Sequence, residues 1–234
     1  MRLKIVLAVA AAAGLAACGT DEADGPLEPT GAFGRVRFVQ AVPDTAIGAV
    51  NATLEGLPLI AGLAYGAATP YQPVYAGART VVVQRTVDTS ATVVSIPFDV
   101  APSAAYTVLS AGRAGNVSAV VLTDTIAIQP TDSARVRIAN LSSTLGSVDV
   151  YLTPTTASIA TAAPTVANLA FRSASRYVSV PNGRLRVRVT AAGTKVVAAD
   201  DSSNTLALGQ IRTLLVLDRN GGGLPPRIAT LTDR

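Results

Sequence analysis

The chain has 234 residues, of which 49% are hydrophobic and 4% aromatic, with 19 basic and 15 acidic side chains and a formal net charge of +4. It contains no histidine and one cysteine, which excludes disulfides within the chain, a Ser-His-Asp triad and ordinary zinc sites. Nucleic-acid-binding proteins carry an excess of clustered basic residues. This chain has nearly balanced charge and few aromatic residues, which excludes that class.

The first 17 residues have the pattern of a bacterial lipoprotein signal peptide. Two basic residues precede an apolar run, Ile5 to Ala17, which is shorter than the roughly 20 residues needed to span a bilayer. The run leads directly into Cys18, in a sequence typical of a lipobox. Residues 1–17 are therefore predicted to be removed, and Cys18 to carry a lipid that makes the membrane the first partner. The alternatives are an ordinary signal peptide with a chance cysteine, or a buried alanine-rich helix.

Residues 18–32 are predicted to form a disordered tether. They carry four carboxylates, two prolines and few large apolar side chains, a composition that cannot form a packed core. Gly19, rather than an aspartate, follows the cysteine, which resembles an outer-membrane sorting context in bacteria with two membranes. The expected location is the cell envelope, on the outer membrane.

The rest of the chain contains an internal repeat. Residues 63–84 align without gaps with residues 169–190, and residues 35–38 match residues 135–138. Both copies end in Leu-Thr-Asp. Aromatic residues recur at equal spacing and are interpreted as sheet-packing residues: Tyr65, Tyr71, Phe171 and Tyr177.

The repeat predicts two domains, residues 33–125 and residues 134–234, joined by a linker at residues 126–133. In residues 36–38 and 136–138 apolar side chains alternate with arginine, a period of two that is typical of half-buried strands. The predicted fold is all-β, with two tandem immunoglobulin-like antiparallel β-sandwich domains. A single large barrel is the alternative, and the duplication favours the sandwiches.

The order of these segments resembles a known family. In the second copy Arg-Val-Arg at 135–137 is followed by Val-Asp-Val-Tyr at 148–151 and by Tyr-Val-Ser-Val-Pro at 177–181. This order is similar to the domain-of-unknown-function 4397 family of exported bacterial proteins. Family members commonly carry a histidine after the first strand, where this chain has Gln40 and Asn140. The resemblance implies the fold and says nothing about activity.

Two groups of charged residues are candidate sites. Arg184, Arg186 and Arg188 alternate with apolar residues, about 6.8 Å apart on one strand face, and are candidates for binding an anionic polysaccharide, a lipopolysaccharide phosphate or an acidic partner. A solvated face is the alternative. Asp200 and Asp201 offer oxygen ligands for Ca²⁺, although a surface turn is the favoured interpretation. No cofactor and no metal are predicted.

The predicted function is non-enzymatic: a lipid-anchored envelope protein that binds or scaffolds through tandem β-sandwiches. Its further partner is expected to be an envelope polysaccharide or another protein, and not a nucleic acid. A glycan hydrolase or accessory protein stays open as an alternative, and the hydrolase would need two carboxylates about 5–10 Å apart. A purely structural spacer is a further alternative. Lys195, the one lysine after the signal peptide, is expected to face solvent in a hairpin turn.

Overall fold

The computed structural model describes residues 31–124 and 131–233, and the regular elements within them are β-strands. The predicted all-β fold is confirmed. The signal peptide, Cys18 and nearly all of the predicted tether lie outside the described residues, as do residues 125–130 of the predicted linker. Across the described residues, no helix is long and apolar enough to cross a bilayer.

The first half of the described chain is a sandwich of two four-stranded sheets. Its strands are β1 (Phe33–Ala41), β2 (Val50–Leu54), β3 (Leu57–Leu63), β4 (Gln72–Tyr75), β5 (Gly77–Arg85), β6 (Asp88–Val100), β7 (Ala105–Arg113) and β8 (Asn116–Thr123). One sheet has the order β4-β1-β7-β8 and the other β3-β2-β5-β6. Phe38 and Val108 of the first sheet belong to one buried cluster with Val81 and Val83 of the second, which forms the core of this sandwich.

The second half repeats this topology. Its strands are β9 (Ala134–Leu141), β10 (Val148–Thr153), β11 (Val166–Leu169), β12 (Ser173–Ala174), β13 (Val178–Val180), β14 (Gly183–Ala191), β15 (Val197–Leu206), β16 (Ile211–Leu217) and β17 (Arg227–Thr232). The sheets have the orders β12-β9-β16-β17, with β13 also paired to β9, and β11-β10-β14-β15. The aligned glycines Gly77 and Gly183 begin β5 and β14 at φ 109° and 112°, a conformation that favours glycine. The prediction of tandem β-sandwiches is confirmed.

One strand pair in each sandwich is parallel, an addition to the antiparallel arrangement that the sequence predicts. β1 runs parallel to β7, and β9 runs parallel to β16. Parallel neighbours need a long crossover connection. The intervening strands of each sandwich, most of which form its other sheet, supply that connection.

A third apolar cluster joins the two sandwiches. It is formed by side chains of the sheets β4-β1-β7-β8 and β12-β9-β16-β17 that point away from their own cores. Its buried members are Val39, Ala41, Leu109, Ala111, Val120, Leu122, Ala139, Leu141, Leu215, Leu217 and Leu231. The four sheets are therefore stacked as four layers, and residues 32–234 form one compact unit.

Both faces of the two middle sheets are buried as a result. The alternation with arginine predicted half-buried strands, and this prediction is wrong for Arg37 and Arg137, which are each 4% exposed. Gln40 and Asn140 in the same strands are fully buried. Arg37 and Arg137 do lie on the face away from their own core, with Val39 and Ala139, but that face packs on the other sandwich instead of contacting water.

Leu215→Ala tests the third cluster. Leu215 is fully buried there, so its truncation should lower the free energy of unfolding by about 2–5 kcal/mol through lost apolar contacts and a cavity. Guanidinium unfolding followed by circular dichroism measures the loss. Leu208→Ala is the matched control, because Leu208 is 56% exposed, and it should change stability by less than about 0.5 kcal/mol. Equal losses in the two variants would mean that the sandwiches do not pack at this cluster.

Candidate functional site

Two arginine–aspartate pairs cross the contact between the sandwiches. Arg37 on β1 donates from Nη2 to Asp233, which follows β17. Arg137 on β9 donates from Nη2 to Asp124, which follows β8. Each arginine also donates from Nη1 to the backbone carbonyl just before its aspartate, at 2.9 Å in both cases. Each sandwich thus supplies the cation for one pair and the carboxylate for the other.

A threonine and a tyrosine of the first sandwich surround Asp124. Its Oδ2 accepts from the Thr107 hydroxyl at 2.5 Å and from the Tyr71 hydroxyl at 2.8 Å. Thr107 in turn accepts from Arg37 Nε at 2.7 Å. The Tyr71 ring centroid lies 4.6 Å from Arg37 Cζ, at the range of a cation–π contact.

The second sandwich repeats these contacts around Asp233. Its Oδ2 accepts from the Thr213 hydroxyl at 2.7 Å and from the Tyr177 hydroxyl at 2.8 Å. Thr213 accepts from Arg137 Nε at 3.1 Å, and Arg137 Cζ lies 4.6 Å from the Tyr177 ring centroid. These hydrogen bonds are the same in both copies, and in the second copy Arg137 Nη2 also donates to the Thr213 hydroxyl at 2.8 Å.

We call these eight residues the junction network: Arg37, Tyr71, Thr107, Asp124, Arg137, Tyr177, Thr213 and Asp233. The four charged side chains are at most 5% exposed and sum to zero charge. Burial, with the neighbouring aspartate charge, raises the pKa of both tyrosines above the ordinary value of 10. Buried ions are tolerated only when they are paired and hydrogen-bonded, and each member here meets that condition. The network orients the two sandwiches and is closed to a substrate.

The two buried amides at the family's histidine position support the loops that follow. Gln40 accepts from Val42 N and donates to Gly48 O. Asn140 makes the equivalent pair of bonds, accepting from the backbone N–H two residues later and donating to Gly146 O at 2.7 Å. A side-chain amide offers both a donor group and an acceptor, as a neutral histidine does. In this chain Gln40 and Asn140 therefore stabilise the loops that follow β1 and β9.

The three arginines of the predicted stripe lie on β14 in different environments. Arg184 is exposed. Arg186 forms a two-point ion pair with Asp200, at 2.8 Å from Nε and 2.6 Å from Nη2. Arg188 is 5% exposed, and its Nη2 donates to Ala157 O at 2.6 Å. The side chains are not a continuous solvated stripe, and the anionic-ligand site stays a prediction.

Residues 154–165, which connect β10 to β11, cover this face of β14, and we call them the strap. Its carbonyl groups accept hydrogen bonds from Arg186 and Arg188, and Ile159 within it is 6% exposed. Lys195 lies between β14 and β15 as expected, but its ammonium group contacts the buried Tyr151 hydroxyl at 3.0 Å and the strap carbonyl of Ala162. In the first sandwich only Glu55 and Gly56 separate the equivalent strands. Sequence reasoning missed the strap because it has no periodic pattern.

Asp200 and Asp201 are engaged by the protein itself. They lie within β15, so the interpretation as a surface turn is wrong. Asp201 accepts from the Ser203 N–H at 2.8 Å and from the Asn204 amide at 2.8 Å. Among the described residues, no group of three or more His, Cys, Asp or Glu side chains could hold a metal ion. These contacts give no support to the candidate Ca²⁺ site at Asp200 and Asp201.

One cavity of the first sandwich bears on the hydrolase alternative. It has a volume of about 430 Å³, and Glu55 and Asp99 are among the residues that line it. Glu55 accepts from the Thr80 N–H at 2.5 Å, which ties its carboxylate to the neighbouring strand. Arg79 in the same cavity donates to three backbone carbonyls.

Comparison with known families matches residues 34–151 to the domain of unknown function family DUF4397. No curated protein matches the chain. Among solved structures, a leucine-rich repeat protein from Bacteroides thetaiotaomicron aligns with 81% of this chain at 11% identity and a TM-score of 0.23, and this chain spans 26% of its length. A candidate adhesin from Bacteroides ovatus aligns with 85% of this chain and 92% of its own, at 8% identity and a TM-score of 0.24.

Asp124→Asn tests the junction network. The substitution leaves the buried Arg137 without its carboxylate, so the free energy of unfolding should fall by about 3–5 kcal/mol. Guanidinium unfolding at pH 7 measures the loss. Asp200→Asn, which breaks a partly exposed pair, is the matched control and should lower stability by less than about 1 kcal/mol. Similar small losses in both variants would contradict the role assigned to the network.

The Arg186–Asp200 pair predicts a pH dependence. The hydrogen bond from Arg186 holds the pKa of Asp200 below its usual 3.8 in the folded state. The stability from this pair is therefore present above pH 3.8 and is lost as the pH falls through the folded pKa. Arg186→Gln should return the pKa of Asp200 towards 3.8, as read by NMR titration of the carboxyl carbon. The pKa of Asp88, lowered by Ser90, should not move, and an unchanged Asp200 would contradict the assignment.

Proposed function

The chain belongs to the DUF4397 family, and on that premise we propose that it is a lipid-anchored, non-enzymatic protein of the cell envelope. Cys18 carries the lipid, residues 18–32 form the tether, and the two sandwiches act as one binding or scaffold module. The outer membrane is the proposed location, since Gly19 follows the cysteine. The further partner is an envelope polysaccharide or another envelope protein.

The junction network is the observation that carries this proposal. Neighbouring domains of one chain move relative to each other by default, unless their contact is large and apolar. Here an apolar cluster and two reciprocal buried ion pairs lie in the same contact. A module of fixed geometry presents its surfaces without an ordering cost on binding, which suits a scaffold.

The contacts of the buried carboxylates support a non-enzymatic role. Asp124 and Asp233 bind guanidinium and hydroxyl groups of the junction network. Asp218, which is fully buried, accepts from the hydroxyls of Ser142 and Ser143. These carboxylates hold structure. The glycan hydrolase is the second candidate function, favoured by the cavity that Glu55 and Asp99 share.

Cys18→Ser tests the anchor. It should remove the lipid from the intact mass and move the protein from the membrane fraction to the soluble fraction, because Cys18 is the one cysteine of the chain. Gly19→Asp is the control: it keeps the cysteine, and should keep the lipid while changing which membrane holds the protein. A Cys18→Ser protein that stays in the membrane fraction would disprove the anchor.

Binding is tested by cross-linking the anchored protein in whole cells, followed by mass spectrometry and a glycan array. The proposal expects one defined polysaccharide or protein partner. Finding neither would leave the spacer alternative. Release of reducing sugar that is lost in Glu55→Gln would replace the proposal with the hydrolase.

A further inference from the structure

Three cations under and beside the strap donate to its backbone carbonyl groups, which are neutral acceptors. Arg186 Nη1 lies 3.3 Å from Thr155 O, Arg188 Nη2 lies 2.6 Å from Ala157 O, and the Lys195 ammonium donates to Ala162 O. Among the described residues, neither Arg188 nor Lys195 forms an ion pair with a carboxylate. Asp200 is already bound at two points by Arg186. The strap thus supplies oxygen atoms without supplying negative charge.

Two polar atoms on the same face of β14 have no hydrogen-bond partner. Arg188 Nε and Thr190 Oγ1 are both buried and unpaired. Arg188 is 5% exposed and Thr190 is fully buried. Buried polar atoms without partners are rare in folded proteins, and each one calls for an explanation. An unpaired guanidinium N–H beside an unpaired hydroxyl group on one strand face is a donor set suited to an acceptor-rich ligand.

The first sandwich has neither the strap nor the cations beneath it, although Arg85 Nε at the end of β5 is also buried and unpaired. Val82 and Gln84 on β5 align with Arg188 and Thr190, and the equivalent of the strap is a two-residue turn. The cations and the strap therefore occur together in the second sandwich, on a fold whose strand order is otherwise repeated, apart from the added two-residue strand β12. A structural requirement of the fold would apply to both sandwiches, so these additions point to a ligand.

We propose that this face is a binding site for an oxyanion, the carboxylate or phosphate group of an acidic glycan. We call it the strapped face, formed by Tyr151, Arg186, Arg188, Thr190 and Lys195. The proposal rests on the proposed function, because it names the class of ligand that the anchored module binds. In the structure the strap carbonyls occupy the donors, and the oxyanion displaces them.

The displacement is favourable because hydrogen bonds from arginine or lysine to an ionised acceptor are shorter and roughly twice as strong as those to a neutral one. Arginine also matches carboxylate and phosphate groups with two parallel hydrogen bonds. Binding therefore releases residues 154–165 from Arg188 and Lys195. The strap has no strand pairing of its own between β10 and β11, so its release leaves the sheet intact.

The test uses the full-length protein in detergent with three probes: inorganic phosphate, tetragalacturonate and the neutral maltotetraose. Calorimetry measures affinity, and hydrogen exchange read by mass spectrometry follows residues 154–165. The expected result is binding of phosphate, tetragalacturonate or both, with several-fold faster exchange of the strap. The probe that binds identifies the ligand as a phosphate or a carboxylate.

Lys195→Gln should weaken that binding about tenfold, the loss of one charge-assisted hydrogen bond. This variant should fold normally, because Lys195 is an exposed residue. Arg188→Met should abolish binding, and its circular dichroism and unfolding curve report whether the sandwich is intact. Arg184→Gln, on the same strand but exposed, is the control and should change affinity by less than about twofold.

Three results would overturn the site: no binding of either oxyanion, equal binding of maltotetraose, or a loss in Arg184→Gln that matches the loss in Lys195→Gln. A defined partner found by cross-linking, together with any of these results, leaves the envelope function standing and removes only the ligand assignment. Absence of a partner in both experiments removes both.

Discussion

Arg37 and Arg137 are buried cations whose carboxylate partners come from the opposite sandwich. Asp124 of its own sandwich lies 3.9 Å from Arg37 Nη2, whereas Asp233 of the second sandwich hydrogen-bonds to the same nitrogen. A sandwich by itself would leave its arginine weakly paired on a face that carries apolar residues. The burial of both faces of the middle sheets, and the stacking of four layers into one unit, depend on this exchange of charges.

The exchange resembles the contact in a twofold-symmetric dimer, in which one surface meets a copy of itself. The apolar part of the contact has departed from that symmetry. Ala41 and Ala111 of the first sandwich occupy positions that Leu141 and Leu217 occupy in the second. Small side chains on one side complement large ones on the other, whereas two copies of the second sandwich would be overpacked. The strap and its cations are a further asymmetry, which places the ligand site on a scaffold that the two sandwiches form jointly.

The fold class and the internal repeat followed from local signals. The alternation in residues 36–38 and the aligned turn glycines Gly77 and Gly183 are properties of neighbouring residues, and sequence patterns report those. The same alternation cannot reveal what covers a face, so Arg37 and Arg137 were assigned to solvent. The repeated Leu-Thr-Asp endings can be read from the sequence. Their pairing with arginines of the other copy depends on how the two sandwiches pack, which a sequence pattern does not show. Arg188 was predicted to bind anions from its place in a stripe, and its burial under residues 154–165 could not be seen in an irregular segment.

Native-state hydrogen exchange across a denaturant series tests most directly whether the junction makes the two sandwiches one cooperative unit. The central amides of β1 and β9 should open together, with one free energy equal to that of global unfolding and one common denaturant dependence. Exchange of the β9 amides through an opening of lower free energy, while the β1 amides stay protected, would show that the sandwiches unfold separately and would contradict the account.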